Sequence, residues 1–304
     1  MKIIVSQLNQ FLPKLKKSPR QLADDLTMIG HFCSAIETDG KQTVLDLEVR
    51  QNRGDCLSYY GIARDLSVFY QTPIFVPKTK ASAIQNTTQL PIKVLARKET
   101  VRIMAIKISR IKNQTSPDWL KNFLKLHQIN NIDLLVDLTN YITLCYGIPC
   151  HIFDTKKSGE QLTWEINNNQ YSSFVTLDGT KLELKPDTFI IGDKNGAASL
   201  VMLGGQRAAI DKNTNEIIVE MAIYDRKKVR KDAKSLGVVT EAGIRLEKDL
   251  DPKLIPIAFD QLIDLIQKHC QGEVSGTIFD YYPNPEIIRE ISFNPKKVSD
   301  YAGI

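Results

Sequence analysis

Strand-like and helix-like segments follow one another irregularly along this chain, and that pattern constrains its fold more than any other feature. The segment Val101–Ile111 alternates apolar with polar residues as a half-buried strand does. A helix is expected to begin at Ser116-Pro117-Asp118, and another is expected from Pro252 to about Cys270. Further strands are expected at Leu162–Ile166, Phe174–Leu177, Lys181–Leu184, Thr188–Ile191 and Ile217–Val219, with a hairpin turn at Asp178-Gly179. Without a regular βαβ repeat, the pattern predicts an α+β fold.

The first 85 residues predict a small α+β domain of their own. A helix begins at Ser18-Pro19, with Gln21 at the third helical position, and ends near Gly30. A strand is expected at Val44–Val49. Asn52 and Asp55 are predicted to cap the helix that follows. The polar stretch Lys78–Gln89 is the predicted linker to a larger, mixed-sheet domain.

The composition is that of an ordinary globular protein. The chain has 304 residues, of which 42% are hydrophobic and 25% charged, which is enough for two domains with separate cores. The N-terminus lacks the apolar core of a signal peptide, and no apolar run approaches the ~18 residues that cross a bilayer. The 5 cysteines form no C-x-x-C pair, so neither a disulfide framework nor a zinc site is expected. These features predict a cytoplasmic protein.

A net charge of +5 is compatible with a polyanionic partner but does not require one. The charge is concentrated in a predicted helix that Asp225 caps and Gly237 ends. Two interpretations of its basic face remain open, a solvated surface and a contact with the phosphates of a polyanionic partner. Its cations are Arg226, Lys227, Arg230, Lys231 and Lys234.

Three segments place a few polar residues among apolar ones. They are VDLTNYITLCYGIPCHIFD at Val136–Asp154, IIVEMAIYD at Ile217–Asp225 and LGVVTEAGIRLEKDLDP at Leu236–Pro252. Taken singly, a histidine after a turn or a glutamate at a strand end is more often structural than functional. In their residues and their spacing, however, the three segments together resemble the editing domain of the β subunit of bacterial phenylalanyl-tRNA synthetase.

The resemblance covers nearly the whole chain and implies its domain boundaries. Residues 1–85 resemble the family's N-terminal domain, residues 86–284 its editing domain, and residues 285–304 the truncated start of the next domain. The family's oligonucleotide-fold tRNA-binding domain would lie at Thr38–Thr43, where this chain has only a few residues. We therefore expect that domain to be missing.

The resemblance also implies which residues form the site and what they do. Tyrosine and phenylalanine differ by one hydroxyl, so a second site that removes tyrosine from tRNA must prefer the hydroxyl. Glu220 is expected to accept the phenolic hydrogen bond, and a bound phenylalanine would leave that carboxylate unpaired. His151 is expected to orient the hydrolytic water or hold the terminal ribose. The full prediction has His151, Thr139 and Asn140 as catalytic residues and Glu220, Thr240, Ala242, Gly204 and Gly205 as substrate-binding residues, with no metal ligand.

The function implied is hydrolysis of mischarged Tyr-tRNA(Phe) by part of a phenylalanine–tRNA ligase. The implied partners are tRNA(Phe) and a synthetase α subunit in an α2β2 heterotetramer, with neither a membrane nor DNA. ATP and Mg²⁺ are implied for the complete enzyme and no cofactor for this fragment. Two alternatives stay open, a non-catalytic scaffold that docks the α subunit and tRNA through a degenerate pocket, and a free-standing deacylase.

Three departures from the family pattern affect these expectations. Val201 replaces the first glycine of the usual A-G-V-M-G-G loop and narrows the predicted pocket. Asn130 stands where an arginine is usual, which removes a cation near the terminal nucleotide. Gly54 replaces the proline of NRPDC and loosens a turn.

Overall fold

The structure of the protein is a computed structural model that describes residues 1–79, 90–159, 161–274, 277–285 and 290–303. From Lys80 onward, the predicted linker Lys78–Gln89 lies outside the described residues. The mixture of helices with several sheets confirms the predicted α+β class.

The N-terminal part of the chain forms an antiparallel sheet in the order β1-β3-β2 with three helices. Its elements are β1 (Lys2–Ile4), α1 (Val5–Phe11), α2 (Pro19–Met28), β2 (Phe32–Asp39), β3 (Gln42–Glu48) and α3 (Tyr59–Phe69). Helix α2 begins as predicted, because the Ser18 hydroxyl accepts from the Gln21 backbone N–H while the Gln21 side chain accepts from the Ser18 backbone N–H.

The cap predicted for α3 was wrong. Ser58, rather than Asn52 or Asp55, is the N-cap residue, and its hydroxyl accepts from the Gly61 backbone N–H at 3.0 Å. The Asp55 carboxylate instead accepts from Arg53, in a short 3₁₀ turn before the helix. Asp55 lies three residues before this N-cap, and its carboxylate binds the Arg53 guanidinium instead of the start of the helix.

The connection between β2 and β3 bears on the predicted loss of a domain. Asp39 pairs with Gln42 across the hairpin, so Gly40 and Lys41 make the turn. Gly40 has φ +60°, a left-handed conformation that glycine adopts without strain. At the point where the resemblance places an inserted domain, this chain has a two-residue turn.

The larger part of the chain contains two main sheets and a small hairpin. Within the described residues the first sheet has the order β12-β11-β10-β7-β4 and the second has the order β14-β5-β13-β6, with β15 also paired to β5. The hairpin β8-β9 turns at Gly179 as predicted. The strands are β4 (Ile92–Val94), β5 (Thr100–Ser109), β6 (Cys150–Asp154), β7 (Leu162–Ile166), β8 (Ser173–Val175), β9 (Lys181–Glu183), β10 (Phe189–Asp193), β11 (Gly196–Leu200), β12 (Leu203–Gly204), β13 (Glu216–Tyr224), β14 (Glu273–Val274) and β15 (Phe279–Tyr281).

Helices pack on the sheets and connect the two parts of the chain. Helix α5 lies against α4 and α8, and α3 from the N-terminal part also packs on α5. Among the helices that the structure describes, none combines the length and the apolar character needed to cross a membrane. The helices are α4 (Asp118–Leu126), α5 (Leu134–Tyr146), α6 (Arg226–Leu236), α7 (Glu241–Leu246), α8 (Ile255–Cys270) and α9 (Pro295–Ala302).

A buried tyrosine joins the two parts. Tyr59 on α3 is fully buried, and its oxygen accepts from the Ile4 backbone N–H at 2.8 Å and lies 2.9 Å from Nε2 of His127. Burial lowers the pKa of His127 to about 4, so the neutral imidazole can accept the Tyr59 proton. His127 is therefore a structural residue at the end of α4.

Removing the Tyr59 hydroxyl is expected to destabilise the protein. The change Tyr59→Phe leaves the Ile4 N–H and the His127 ring without a partner, which costs ~1–3 kcal/mol of unfolding free energy. Urea unfolding followed by circular dichroism measures the change. The matched control is Tyr60→Phe, since the Tyr60 hydroxyl makes no hydrogen bond to a described residue. Equal stabilities of the two variants would contradict this account.

Candidate functional site

The polar residues of the segment Val136–Asp154 lie on two different elements. Asp133 caps α5 by accepting from the Val136 N–H at 3.0 Å, and Gly147 ends the helix at φ +79°. The chain then turns into β6. Thr139 and Asn140 consequently lie in the middle of α5, whereas His151 lies on the adjoining strand.

Strand register brings His151 to Glu220. In the antiparallel pair of β6 and β13, these two residues are directly opposite each other. Residues opposite in such a pair point to the same face of the sheet, with their Cβ atoms ~4.5–5.5 Å apart. Residues distant in the sequence therefore become neighbours through backbone pairing alone.

Both side chains line one cavity of about 440 Å³ between the sheets and helices α5 and α7. Its wall is largely apolar, with contributions from Leu200, Met202 and Leu246. Six of the residues predicted for the site line this cavity, and they are Thr139, Asn140, His151, Gly204, Glu220 and Ala242.

The two remaining predicted residues lie behind the wall rather than in it. Thr240 is the N-cap of α7, where its hydroxyl accepts from the Gly243 N–H and donates to the Met202 carbonyl, both at 2.9 Å. A Cβ atom on Gly205 would lie 2.4 Å from the Ala198 carbonyl oxygen, so this glycine permits close packing of the wall. Both residues support the cavity wall, whereas they were predicted to bind the substrate.

Burial shifts the pKa values of Glu220 and His151 in opposite directions. Glu220 is 4% exposed, and burial raises the pKa of its carboxyl to about 7, although a hydrogen bond from the Tyr224 hydroxyl acts in the opposite direction. Burial lowers the pKa of His151 to about 4, so its imidazole is neutral at pH 7. The His151 ring lies edge-on to Phe153, and its nitrogens make no hydrogen bond to a described residue. It is available to a ligand or a water molecule.

The raised pKa of Glu220 predicts a pH-dependent effect on stability. Between about pH 4.5 and pH 7 the folded protein binds this proton and the unfolded chain does not, so the contribution of Glu220 to stability decreases as pH rises. Glu220→Gln removes this titration. The variant is expected to gain stability relative to wild type by ~2–3 kcal/mol on going from pH 4.5 to pH 8. Urea unfolding at the two pH values tests this, and a pH-independent difference would contradict the assigned pKa.

Gly204 holds the cavity open beside His151. A Cβ atom at this position would lie 2.7 Å from Cε1 of the imidazole, closer than side chains approach. Only a glycine at position 204 therefore leaves room for the imidazole where it lies.

Gly204→Ala is expected to displace the imidazole and reduce any reaction at this site by about tenfold, as small misplacements of reacting groups do. A double-mutant cycle isolates the cause. In a His151→Ala background the new methyl group meets no ring, so Gly204→Ala should then have no further effect. A full tenfold loss in that background would show that the methyl group acts elsewhere.

Two departures from the family pattern lie in different places. Val201 is 8% exposed and lines the cavity, and its φ is not positive, so the backbone accepts a β-branched residue there and the side chain takes up cavity space. Asn130 is exposed and does not line the cavity. Of the two, only Val201 changes the shape of the site.

A second cluster with metal-ligand chemistry lies in the N-terminal part. His31, Cys56 and Asp65 offer atoms within 4.8 Å of one another. However, Arg53 donates to both Asp65 oxygens and to the Cys56 sulfur, which places a positive charge where a cation would bind. Burial also raises the pKa of the Cys56 thiol well above its usual value. This cluster fits a buried ion pair rather than a metal centre.

The part of the chain that forms the cavity lies within a match to a known domain family. The family model for the B3/4 domain matches residues 99–271, and the chain belongs to this family.

Three bacterial relatives confirm the resemblance found in the sequence, and each is a phenylalanine–tRNA ligase β subunit. The Clostridium acetobutylicum protein is 34% identical over 86% of this chain, the Clostridium tetani protein 32% over 91%, and the Fusobacterium nucleatum protein 27% over 99%. The chain spans 33%, 35% and 41% of these relatives, respectively.

A solved N-terminal fragment of the Pyrococcus horikoshii phenylalanyl-tRNA synthetase β subunit aligns with 100% of this chain and 84% of that fragment. The identity is 12% and the TM-score 0.45.

Proposed function

We propose that this chain acts as part of a phenylalanine–tRNA ligase β subunit and that its cavity hydrolyses tyrosyl-tRNA(Phe). One observation carries the proposal. A buried carboxylate and a neutral imidazole, Glu220 and His151, face each other across one strand pair and open into the same cavity. The choice of a tRNA substrate is supported by the relatives, which are phenylalanine–tRNA ligase β subunits.

The cavity suits a tyrosyl side chain. Its volume of about 440 Å³ is within the ~300–1,000 Å³ range of small-ligand pockets. The small side chain of Ala242 leaves room for a ring beside the apolar wall. Glu220 would receive the phenolic hydroxyl at the polar end, where a phenylalanyl ring would leave the carboxylate desolvated and unpaired.

The polar residues on α5 and β6 can serve the hydrolytic step. An aminoacyl ester is already activated, so hydrolysis needs an oriented water molecule and donors toward the developing oxyanion. The neutral His151 ring can accept a proton from that water as its oxygen attacks the ester carbonyl. The C–O bond to the terminal ribose then breaks, and the proton passes to the ribose oxygen.

Thr139 and Asn140 complete the polar end of the cavity. The Thr139 hydroxyl donates to the Val136 carbonyl at 2.6 Å, so its oxygen remains free to accept. The Asn140 amide has no hydrogen-bond partner among the described residues and can donate to the oxyanion. In these roles Thr139 and Asn140 only bind and orient, and the nucleophile that attacks the ester is a water molecule.

The partners of the proposed function are tRNA(Phe) and a synthetase α subunit in an α2β2 assembly. ATP and Mg²⁺ are assigned to the complete enzyme and not to this cavity. The exposed cations of α6 can meet tRNA phosphates, although Arg226 and Lys231 already pair with Asp249 and Asp187. Lys227, Arg230 and Lys234 make no ion pair with a described residue.

A release assay tests the proposed function. The purified chain, or a longer β subunit with its α subunit, is incubated with Tyr-tRNA(Phe), and ester loss is followed against buffer. Release that disappears in Glu220→Ala and His151→Ala supports hydrolysis at this cavity. Because Val201 narrows the cavity, a non-catalytic scaffold is the second candidate, and the absence of release above buffer supports it.

A further inference from the structure

A hydrogen-bonded chain of buried side chains leads to Glu220 from the opposite sheet. The indole Nε1 of Trp164 on β7 lies 2.9 Å from the Tyr224 oxygen, and the Tyr224 oxygen lies 2.7 Å from Oε1 of Glu220. All three side chains are buried, at 0%, 3% and 4% exposure. Neither Trp164 nor Tyr224 was predicted from the sequence to belong to the site.

The direction of this chain is fixed by chemistry. An indole N–H can only donate, so the Tyr224 oxygen must accept from Trp164. The Tyr224 proton is then directed to Oε1 of Glu220. The Tyr224 ring also packs edge-on against Phe189, with ring centroids 5.1 Å apart, which holds the phenol in place.

In this arrangement only one of the two carboxylate oxygens of Glu220 is hydrogen-bonded to the protein. Oε1 is taken by the protein, while Oε2 makes no hydrogen bond to a described residue, and Glu220 lines the cavity. A single open acceptor therefore faces the space in which a ligand ring would lie. Such an acceptor can receive one hydroxyl group.

We propose that Tyr224, held by Trp164, is a positioning residue that sets the specificity of Glu220 for a phenol over a phenyl ring. The inference rests on the proposed function. Tyr224 stabilises the ionised carboxylate, and a bound phenyl ring would leave Oε2 of that carboxylate unpaired. Without the Tyr224 donor the pKa of Glu220 would rise further, so less of the carboxyl would be ionised at pH 7, and a neutral carboxyl group would tolerate a phenyl ring more readily.

The ionisable groups near Glu220 are consistent with its ionised form depending on one donor, the Tyr224 hydroxyl. His151 lies directly opposite Glu220 on β6, and Cys150 and Asp133 also line the cavity. His151 is neutral at pH 7, and burial raises the pKa of the Cys150 thiol to about 12. On β5, the residue opposite Glu220 is Ala105, which carries no charge.

The test compares initial rates of ester hydrolysis for Tyr-tRNA(Phe) and Phe-tRNA(Phe) at several pH values. Tyr224→Phe is expected to reduce the tyrosyl-to-phenylalanyl rate ratio by about tenfold at pH 7, and the ratio should recover at pH 8.5 as the carboxyl ionises. Trp164→Phe should change the ratio in the same direction by a smaller factor, because the Tyr224 proton is then free to rotate.

Tyr171→Phe is the matched control. Its hydroxyl also contacts a carboxylate, Glu165, at 3.1 Å, but this pair does not line the cavity. An unchanged ratio in Tyr224→Phe, with hydrolysis intact in wild type, overturns the positioning role alone. A wild-type protein that releases no tyrosine overturns the proposed function and this inference with it. A fall that is equal at all pH values also overturns the inference, since loss of packing alone would produce it.

Discussion

Glu220→Ala is expected to reduce the rate of tyrosyl-tRNA(Phe) hydrolysis by about 100-fold and to abolish the preference over the phenylalanyl ester. Above its pKa of about 7, the Glu220 side chain provides a charged hydrogen-bond acceptor inside an apolar cavity, and such bonds contribute ~1.5–3 kcal/mol. A loss near the upper end of that range corresponds to about 100-fold in rate. Steady-state hydrolysis of both esters measures the rate and the ratio.

The control for this variant lies on the same strand. Glu216 is four residues before Glu220 on β13, pairs with Lys107 at the surface and does not line the cavity. Glu216→Ala should leave both rates within about twofold of wild type, because surface ion pairs contribute little. If both alanine variants lose activity equally, the strand rather than the carboxylate is responsible.

His151→Ala is expected to reduce hydrolysis of both esters by about 100-fold, since general-base assistance is typically worth ~10²–10⁴. Unlike the glutamate variant, it should leave the tyrosyl-to-phenylalanyl ratio nearly unchanged, because the ring serves the reaction rather than the recognition of the hydroxyl. Single-turnover assays with each ester separate these two effects.

His269→Ala provides the comparison for the histidine. His269 is half-buried at the end of α8 beside Trp119, away from the cavity. Its removal should not alter either rate. A His151→Ala variant that keeps wild-type hydrolysis would remove the imidazole from the proposed mechanism and leave the α5 residues to orient the water.

The elements with strong local signals were predictable from the sequence. Helix α6 begins with Asp225 accepting from the Lys228 N–H and ends at Gly237 with φ +67°, as its cap residues predict. Strand β7 coincides with the predicted Leu162–Ile166. In both cases local preference and tertiary environment agree.

The parts that depend on tertiary register were not predictable from local pattern. Glu220 meets His151 because β6 pairs with β13 at one particular register, which no spacing in the sequence specifies. Residues four apart on a strand are ordinarily ~13 Å apart, so the spacing of Glu220 and Tyr224 did not predict that their side chains would be in contact. A register shift between Ile223 and Tyr224 in the pairing with β5 alters the strand at this point.

The competing caps before α3 show a second kind of limit. Asp55 and Ser58 are both good N-cap residues, and the sequence alone does not say which one is free. Arg53 and Arg64 bind the Asp55 carboxylate, and this leaves the cap to Ser58. Ion pairs between residues close in the sequence thus decide which residue caps the helix.

The most direct test of the central claim is the affinity of the cavity for two nonhydrolysable ligands. Calorimetry would compare adenosine that carries tyrosine in a 3′-amide linkage with the same compound carrying phenylalanine. We predict that wild type binds the tyrosyl compound at least tenfold more tightly at pH 8 and that Glu220→Ala binds both equally. Equal affinities in wild type, or a preference that persists without Glu220, would contradict the assignment of this carboxylate as the group that recognises the hydroxyl.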